Sequence, residues 1–520
     1  MKPNKTKIYL LLLMIIALGF FLRIWNINEA PPGIYPDEAV NGEDALRAIH
    51  EGTWAWFYSA NQGREGLFMN IIAILFKFFG VSALTLKLPS IIFGTFTIWG
   101  TYLLSKELFQ KDRLALIASF LTAVSFWAIN FSRISFRANM LPFVLVFSFY
   151  FLWKGLRTQK FRDFAFGGLV FGIGLHTYIA FRIAPLVLVF TLLFLIWNRK
   201  KFLKNYWRHI LVFIFFFLVS AFPMLYTFLV SHPEYLSSRS ASVSILSPEI
   251  NQGDFWGTLG KTLSLSLAKY NFWGDQNWRH NYPPYPILDP LTGIGFLLGI
   301  ISFIVAFFIK IKRRLSEKES SDRLVISVFL LSWFFLLLAP EFMTDEGLPH
   351  ALRAIGTLPV VMIFSAFIFN YFMEKSDRHS PIYRKSVLLL FFLMAVFIAG
   401  FNSLKYHLFW ANQKETAQAF EKKLIDISDY VRSLPEMKEK FIITGSMQRI
   451  PIKILNYQKP YLSYLYPGEI DQLQPQNPNY FEIIMTDKDD FLIQKIISRF
   501  PELALEERTD RFGLSFFVLK

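Results

Sequence analysis

The stretch "LFMNIIAILFKFFG", residues 67–80, decides how the rest of the chain is arranged. It is apolar, but it is short and contains Lys77. A helix that crosses a bilayer needs about 20 residues. If this run crosses, every later loop changes sides, so the rest of the sequence must settle whether it does.

The composition is that of a polytopic membrane protein. Of 520 residues, 53% are hydrophobic and only 18% are charged, against about 25% in soluble proteins. Eleven further apolar runs look long enough to cross, so we expect about 11 transmembrane helices. These runs are 8–25, 88–105, 114–131, 141–154, 163–178, 183–198, 209–230, 291–310, 324–340, 356–373 and 386–403.

The basic residues give the orientation. If 67–80 does not cross, the Lys- and Arg-rich loops all fall on the side of the N-terminus, as cytoplasmic loops should. These loops lie around 106–113, 154–162, 199–208, 310–323 and 375–385. We therefore predict a multi-pass protein of the plasma (cell) membrane with a cytoplasmic N-terminus. The stretch 67–80 becomes an interfacial or re-entrant helix on the outer face. Run 8–25 follows Lys2, Lys5 and Lys7 without a small-residue cleavage site, so we expect an uncleaved first span.

This orientation places three long segments outside the cell: a first loop at 26–87, a long loop at 231–290, and the tail 405–520. The tail alternates short apolar runs ("KFIITG", "YFEIIMT", "GLSFFVLK") with helical stretches such as 411–433. Such alternation is typical of a small α/β domain. We predict a membrane domain at 1–404 followed by an extracytoplasmic α/β domain at 405–520.

The charge and the cysteine count exclude some functions. The net charge is +15, but the tail from Lys405 onward is neutral. The excess therefore lies in the membrane part, which argues against nucleic-acid binding. With no cysteine in the chain, disulfides, thiolate nucleophiles and Cys-ligated metals are excluded.

Two adjacent carboxylates, Asp37 and Glu38, follow the first span in "GIYPDEAVNG" (33–42). One interpretation is a helix start, where acids favour the helix dipole. The other is a general base or metal ligand, because a carboxylate can take a proton from a hydroxyl nucleophile.

Arginines also stand at the outer ends of predicted spans, against the positive-inside trend. Single arginines there can snorkel to anionic headgroups, whereas several together favour a converging phosphate site. They are Arg64, Arg133, Arg137, Arg182 and Arg353. Other polar residues of the outer loops are candidates for substrate binding or for ordered interfacial loops. They are His176, Tyr178, His350 and, within 270–293, Asp275, Arg279, His280 and Asn281.

Taken in order, several short motifs resemble the GT-C fold of polytopic glycosyltransferases. The resemblance is to the branch with protein O-mannosyltransferases and the aminoarabinose transferase of lipid A (glycosyltransferase family 39-like). It covers residues 1 to about 405. The motifs are "DEA" (37–39), "REGLFMN" (64–70), "KLPS" (87–90), "SRISFR", "YIAFRIAP", "GDQNWRHN…LDPLTG" and "PHALRAIGTLP".

The resemblance implies an inverting enzyme that takes a monosaccharide from a polyprenyl-phosphate-linked donor at the outer face. The acceptor would be a protein or a lipid or glycan hydroxyl, and membrane lipids would be further partners. Asp37 matches the catalytic acid of the first loop and would deprotonate the acceptor. Glu38 would orient Asp37, bind the acceptor or help hold an ion.

For the donor phosphate, the resemblance suggests Arg64 first and Arg353 second, with Arg137 and Arg182 as further candidates. Relatives usually carry "PPL" after the basic residue, whereas this chain has Arg64 followed by Glu-Gly-Leu. Some relatives use a divalent metal. No His/Asp cluster of metal-ligand spacing is visible in the sequence, so Asp37 and Glu38 are the only metal candidates, and no cofactor is certain.

Two other functions remain open. A transporter or flippase of a lipid-linked substrate would need charges along a path at mid-membrane, whereas the interiors of these spans carry almost none. Transfer of an oligosaccharide or a phospho-headgroup on the same fold is hardly separable by sequence.

Overall fold

A computed structural model of the chain describes residues 5–59, 63–236, 243–317 and 322–520. Lys2 and the parts of the predicted loops at 60–62, 237–242 and 318–321 lie outside the described residues. The chain forms two compact units. The first comprises Met1–Trp25, Ala55–Phe68 and Ser90–Lys405, and the second Asn26–Trp54, Met69–Pro89 and Tyr406–Lys520. The division into functional domains at residue 405 stays a prediction.

The chain up to Lys405 is almost entirely helical. Its elements are α1 (Lys5–Ile24), α2 (Pro36–Glu51), β1 (Phe57–Tyr58), β2 (Arg64–Glu65), α3 (Leu67–Phe79), α4 (Ala83–Phe109), α5 (Asp112–Val124), α6 (Phe126–Ser132), α7 (Met140–Thr158), α8 (Phe161–Ile173), α9 (Ala184–Asn198), α10 (Phe202–Tyr226), α11 (Pro248–Asn251), α12 (Phe255–Asn271), α13 (Pro290–Glu317), α14 (Asp322–Phe342), α15 (Leu358–Ser376) and α16 (Pro381–Leu404).

Among the described residues, nine helices are long and apolar enough to span a membrane, or ten if a bent pair counts as one span. The predicted number of eleven is therefore too high by this measure. Run 114–131 is the bent pair α5–α6, with 57° between the helices. Run 163–178 gives only the 13-residue α8 and a 3₁₀ turn. The stretch 67–80 forms α3, also of 13 residues and too short to cross.

The bend between α5 and α6 has a polar cause. The backbone N–H of Phe126 donates to Asn402 Oδ1 at 3.2 Å. Asn402 Nδ2 in turn donates to Asp289 Oδ2 at 3.0 Å. Because buried backbone donors need an acceptor, this amide supplies one where the helix is interrupted.

Helix α8 packs on α10 through two glycines four residues apart. A Cβ at Gly168 would lie 2.2 Å from the carbonyl oxygen of Phe213, and one at Gly172 would lie 2.4 Å from that of Phe217. The two backbones are therefore in direct contact, as small residues at this spacing allow in membrane helices.

The loops of the first unit lie at the two ends of its helices, and polar contacts join the loops at each end. At one end, here called the basic end, Lys111 pairs with Glu374 at 2.7 Å and Arg113 with Asp377 at 2.9 Å. Further contacts there are Arg157–Glu107 (3.0 Å), Gln159–Tyr206 (3.2 Å) and Arg199–Asp322 (2.5 Å). The opposite end, the polar end, contains Arg137–Glu65 at 2.7 Å and Lys261–Asp345 at 3.0 Å.

The second unit contains a five-stranded mixed sheet in the order β4-β3-β5-β7-β6. Strand β3 pairs in parallel with β4 and β5, whereas β7 is antiparallel to β5 and β6. The prediction of a small α/β domain is confirmed, and three of the strands coincide with the predicted apolar runs. Its elements are α17 (Lys414–Ala419), α18 (Lys422–Ser433), β3 (Glu439–Ile443), α19 (Ser446–Leu455), β4 (Leu462–Leu465), β5 (Phe481–Met485), α20 (Asp490–Arg499), β6 (Leu505–Thr509) and β7 (Ser515–Leu519).

Successive residues of the strands alternate between two cores, as the pleat of a sheet requires. Phe441 and Ile443 pack on one face with Ile493 of α20. Ile442 packs on the other face with Leu424 of α18. Helices therefore cover both faces of the sheet.

Candidate functional site

Asp37 and Glu38 lie in the first turn of α2, in the second unit, after Pro36 at the helix start. Glu38 is fully buried, and its Oε1 accepts the Tyr35 N–H at 3.1 Å. Asp37 is half-buried, and its carboxylate has no hydrogen bond or ion pair with any residue that the structure describes. Both acids stand where the helix-start interpretation places them, and only Glu38 also forms a hydrogen bond there.

The segment that carries Asp37 is tightly held within the second unit. A Cβ at Gly33 would lie 1.9 Å from the carbonyl oxygen of Phe420, so no larger residue fits there. The buried Lys87 donates to the Gly33 carbonyl at 3.2 Å. Gly42, one turn beyond Asp37, packs against Leu86 and Ile454.

All other predicted site residues belong to the first unit, and one group of them lies around the β1–β2 hairpin. Arg64 is buried and pairs with Tyr58 across the hairpin. Arg137 Nε donates to Glu65 Oε2 at 2.7 Å. The Arg182 guanidinium lies 4.3 Å from the Phe228 ring, a cation–π contact, and donates to the Tyr235 carbonyl at 3.3 Å.

His176 and Tyr178 stand beside this group. The buried His176 ring meets Trp56 edge-on at 5.7 Å, and its Nε2 hydrogen-bonds the Ser220 carbonyl at 2.9 Å. Tyr178 is half-buried in extended backbone before a 3₁₀ turn. Three of the predicted arginines thus share the polar end with these residues.

A second group is a hydrogen-bonded network centred on the buried Asp275. Its Oδ2 accepts the Ala351 N–H at 2.6 Å and His280 Nδ1 at 3.1 Å, and its Oδ1 accepts the Asn277 N–H at 2.8 Å. Because a carboxylate only accepts, His280 Nδ1 carries the proton. The network ties the loop after α12 to the loop after α14, which lie about 70 residues apart in the chain.

Charge within this network is set by burial and by neighbours. Burial raises the pKa of Asp275, but His280, through its charge and hydrogen bond, and His350 outweigh it, so this pKa lies below 3.8. Burial lowers the pKa of His350 well below 6.5, and His280 lowers it further. Asp275 is therefore ionised and His350 neutral at pH 7.

The remaining predicted residues of these loops form hydrogen bonds within the loops. Asn281, fully buried, donates to the carbonyls of Asp275 (3.1 Å) and Tyr285 (2.6 Å). Arg279 donates to Asn277 Oδ1 at 3.1 Å. Arg353 donates to Thr344 Oγ1 at 2.7 Å and pairs with the exposed Glu346 at 2.6 Å.

The sequence prediction missed one ion pair behind this network. Lys269 and Glu341 are both fully buried and paired, and Lys269 also donates to the Ser266 carbonyl at 2.9 Å. The other Glu341 oxygen accepts the His350 N–H at 2.9 Å. The sequence did contain a signal for this ion pair. Glu341 follows directly after the apolar run 324–340, and an ionisable group at the end of a span needs a partner.

A His/Asp cluster that is not visible in the sequence does form in the folded chain, so the prediction that there is none was wrong. Ligand atoms of Asp275, His280 and His350 lie within 4.8 Å of one another. One carboxylate and two imidazoles are a donor set that Zn²⁺ accepts. However, three N–H groups already satisfy the Asp275 carboxylate. The arrangement is therefore explained as a hydrogen-bond network without an ion.

Comparisons with known proteins agree with this fold. Residues 67–226 match the family model "Dolichyl-phosphate-mannose-protein mannosyltransferase". The structure of ArnT from Cupriavidus metallidurans bound to undecaprenyl phosphate is similar at 11% identity, with a TM-score of 0.53 over 99% of this chain and 98% of that one. The Archaeoglobus fulgidus oligosaccharyltransferase, in complex with Zn and sulfate, gives 14% identity and a TM-score of 0.52 over 87% of this chain and 62% of that one. Sequence comparison with curated proteins gave no match.

The fold and the family match define the class of protein. It is a multi-pass membrane protein whose fold is similar to that of the solved ArnT structure, and this agrees with the GT-C fold that the motifs predicted. Within that class, residues 67–226 carry the signature of the mannosyltransferase family named above. That segment begins with α3 and ends with α10.

Proposed function

We propose that this protein transfers a monosaccharide from a polyprenyl-phosphate-linked donor to an acceptor hydroxyl, with Asp37 as the general base. The observation that carries this proposal is the contrast between two adjacent carboxylates. Glu38 is buried and hydrogen-bonded to the backbone, whereas Asp37 is half-exposed and keeps its lone pairs. A base must be free to accept a proton, and Asp37 meets that requirement.

In the proposed step, the acceptor O–H gives its proton to the Asp37 carboxylate as the oxygen attacks the anomeric carbon. The bond between that carbon and the phosphate oxygen breaks, and its electron pair leaves with polyprenyl phosphate. Attack from the face opposite the leaving group inverts the anomeric centre. Similarity to an ArnT structure bound to undecaprenyl phosphate supports a donor of this chemistry.

Arginines of the first unit are proposed to hold the donor phosphate, where negative charge builds as the bond breaks. Arg64 is buried and Arg137 is already paired with Glu65. Arg353 is paired with Glu346, whose side chain is 65% exposed. An exposed carboxylate is a weak partner, so the donor phosphodiester can replace it, and the second negative charge that develops on the leaving phosphate strengthens the contact. Arg353 and Arg64 are therefore the first candidates, followed by Arg182.

The proposed base is tested with the purified full-length protein, a synthetic polyprenyl-phosphate sugar and an acceptor mixture, with products read by mass spectrometry. Asp37→Asn should lower the transfer rate by roughly 10²- to 10⁴-fold. Glu43→Gln is the matched control, because Glu43 lies on the same helix and only pairs with Lys453 at 3.6 Å. A variant Asp37→Asn that keeps full activity would refute the assignment. Wild-type protein that transfers nothing from this donor, but does transfer from a polyprenyl-linked oligosaccharide offered in parallel, would refute the monosaccharide donor.

We also infer eleven spans, a cytoplasmic basic end and an extracytoplasmic site. Helix α8 supports this count despite its length. Asp163 near its start accepts a hydrogen bond from Thr158 at the basic end (2.7 Å), and the 3₁₀ turn that continues it ends at His176 beside Trp56 at the polar end. A segment that joins the two ends crosses the bundle. The clustering of Lys and Arg at one end then follows the positive-inside rule.

A further inference from the structure

At the basic end, a cavity of about 460 Å³ lies between the end of α9, the start of α10 and the end of α13. Among the residues that the structure describes, four cationic ones line it and no acidic one does. Asp322, outside the lining, pairs with Arg199 at 2.5 Å. The lining includes Arg199, Lys200, Lys201, Arg314, Asn198 and Tyr206.

Local contacts keep this cavity open and polar. An Arg314 NH2 group donates to the Trp197 carbonyl at 3.0 Å, which caps the carbonyl end of α9, and the guanidinium lies 5.1 Å from the Trp197 ring. Tyr206 OH donates to the Leu156 carbonyl at 2.8 Å. The Arg314 Nε–H is buried and has no acceptor among the described residues. Arg314 thus adds a fixed positive charge to the lining of the cavity.

An apolar crevice of about 170 Å³ adjoins the cavity, between α7, α8, α9 and α10. The two spaces are neighbours, because the buried Phe202 lines both. Residues deep in the crevice include Leu195 and Phe164, which are buried. Val189 and Ile214 also line it and are 47% and 43% exposed, so the crevice opens to the membrane-facing surface of the helices.

We propose that this cavity and crevice together bind one anionic phospholipid. Its phosphate would lie on the cations of the cavity, and one acyl chain would lie in the crevice. Charge complementarity favours this occupant, because arginine and lysine clusters between membrane helices recognise lipid phosphates. The N-terminus of the 25-residue α10, which begins at Phe202, adds backbone N–H groups and a favourable dipole. This site is at the opposite end of the first unit from the polar end and does not depend on the proposed reaction.

The experiment measures lipid binding to delipidated full-length protein by native mass spectrometry. Phosphatidylglycerol should bind, whereas phosphatidylcholine and inorganic phosphate should not. The double variant Lys200→Gln/Lys201→Gln should bind phosphatidylglycerol roughly 30-fold more weakly, since each basic residue near a lipid phosphate contributes about a five- to sixfold factor. The control Lys160→Gln/Lys204→Gln removes the same charge at the same end from residues outside the lining.

A second variant tests the acyl chain. Val189→Trp places a large ring at the crevice mouth and should weaken phosphatidylglycerol while leaving the four cations in place. Equal binding by wild type and the Lys200/Lys201 variant would overturn the proposal. Binding of phosphatidylcholine as tight as phosphatidylglycerol, or a preference for undecaprenyl phosphate or free phosphate, would overturn it as well.

Discussion

Replacement of Asp275 by Asn should release the loop after α14 from the loop after α12. The carboxylate accepts the Ala351 N–H at 2.6 Å and His280 Nδ1–H at 3.1 Å through the same oxygen. In the Asn variant one of the two oxygens becomes an NH₂ group. If the remaining oxygen keeps the Asn277 N–H, two buried donors lose their acceptor. Hydrogen bonds to a charged group contribute about 1.5–3 kcal/mol each, so the local cost of losing two is about 3–6 kcal/mol.

Hydrogen exchange at the Ala351 amide measures this cost directly. Because 1.4 kcal/mol is a factor of ten, a local loss of about 3 kcal/mol should speed exchange of the segment around Ala351 on the order of 10²-fold. Asp345→Asn is the matched control, since it breaks only a partly exposed pair with Lys261 (3.0 Å) and should change exchange less than about fivefold. Unchanged protection in the Asp275 variant, or an equal effect in the control, would refute the network.

Further outcomes follow from other features. Lys269→Met alone should destabilise the protein by about 3–5 kcal/mol, because it leaves the Glu341 charge buried without a partner. Lys269→Met combined with Glu341→Leu should restore most of the thermal stability. A double variant as unstable as Lys269→Met alone would contradict this. Chelation with EDTA should leave the melting temperature unchanged, and a drop of several degrees would show that the aspartate–histidine network holds a metal. The chain has no cysteine, so single cysteines report sidedness. With eleven spans, Lys160→Cys and Lys204→Cys should react from one side of the membrane and Glu249→Cys from the other. If Lys160→Cys and Lys204→Cys were labelled from opposite sides of the membrane, α8 would not cross it.

The sequence was informative about apolar spans and strands because their signals are local. Nine of the eleven predicted runs became single long helices, and the runs "KFIITG", "YFEIIMT" and "GLSFFVLK" contain most of strands β3, β5 and β7. Run 114–131 misled because its hydropathy is continuous, whereas its bend depends on Asn402, which is distant in the chain. Periodicity within a window cannot register such a contact.

In the candidate site, too, local features could be predicted from the sequence and contacts between distant residues could not. The first-turn position of Asp37 and Glu38 follows from Pro36 and the acids that come next. The hydrogen bond from the Tyr35 N–H to Glu38 is also local, since the two residues are three positions apart, whereas the full burial of Glu38 depends on tertiary packing. The pairing of Lys269 with Glu341, and of Asp275 with the Ala351 amide, joins residues more than 70 positions apart. Single-sequence patterns contain no information on such pairs.

The glycine contact between α8 and α10 has a mechanical consequence for the crevice beside it. With backbone against backbone at Gly168 and Gly172, this helix pair has no room for a larger side chain at the contact. The crevice, by contrast, is a space bordered by α9. An acyl chain in the crevice would therefore lie against α9, the helix that joins the Arg182 segment to the Arg199 segment. In terms of free volume, α10 has a closed side towards α8 at the two glycines and an open side towards α9.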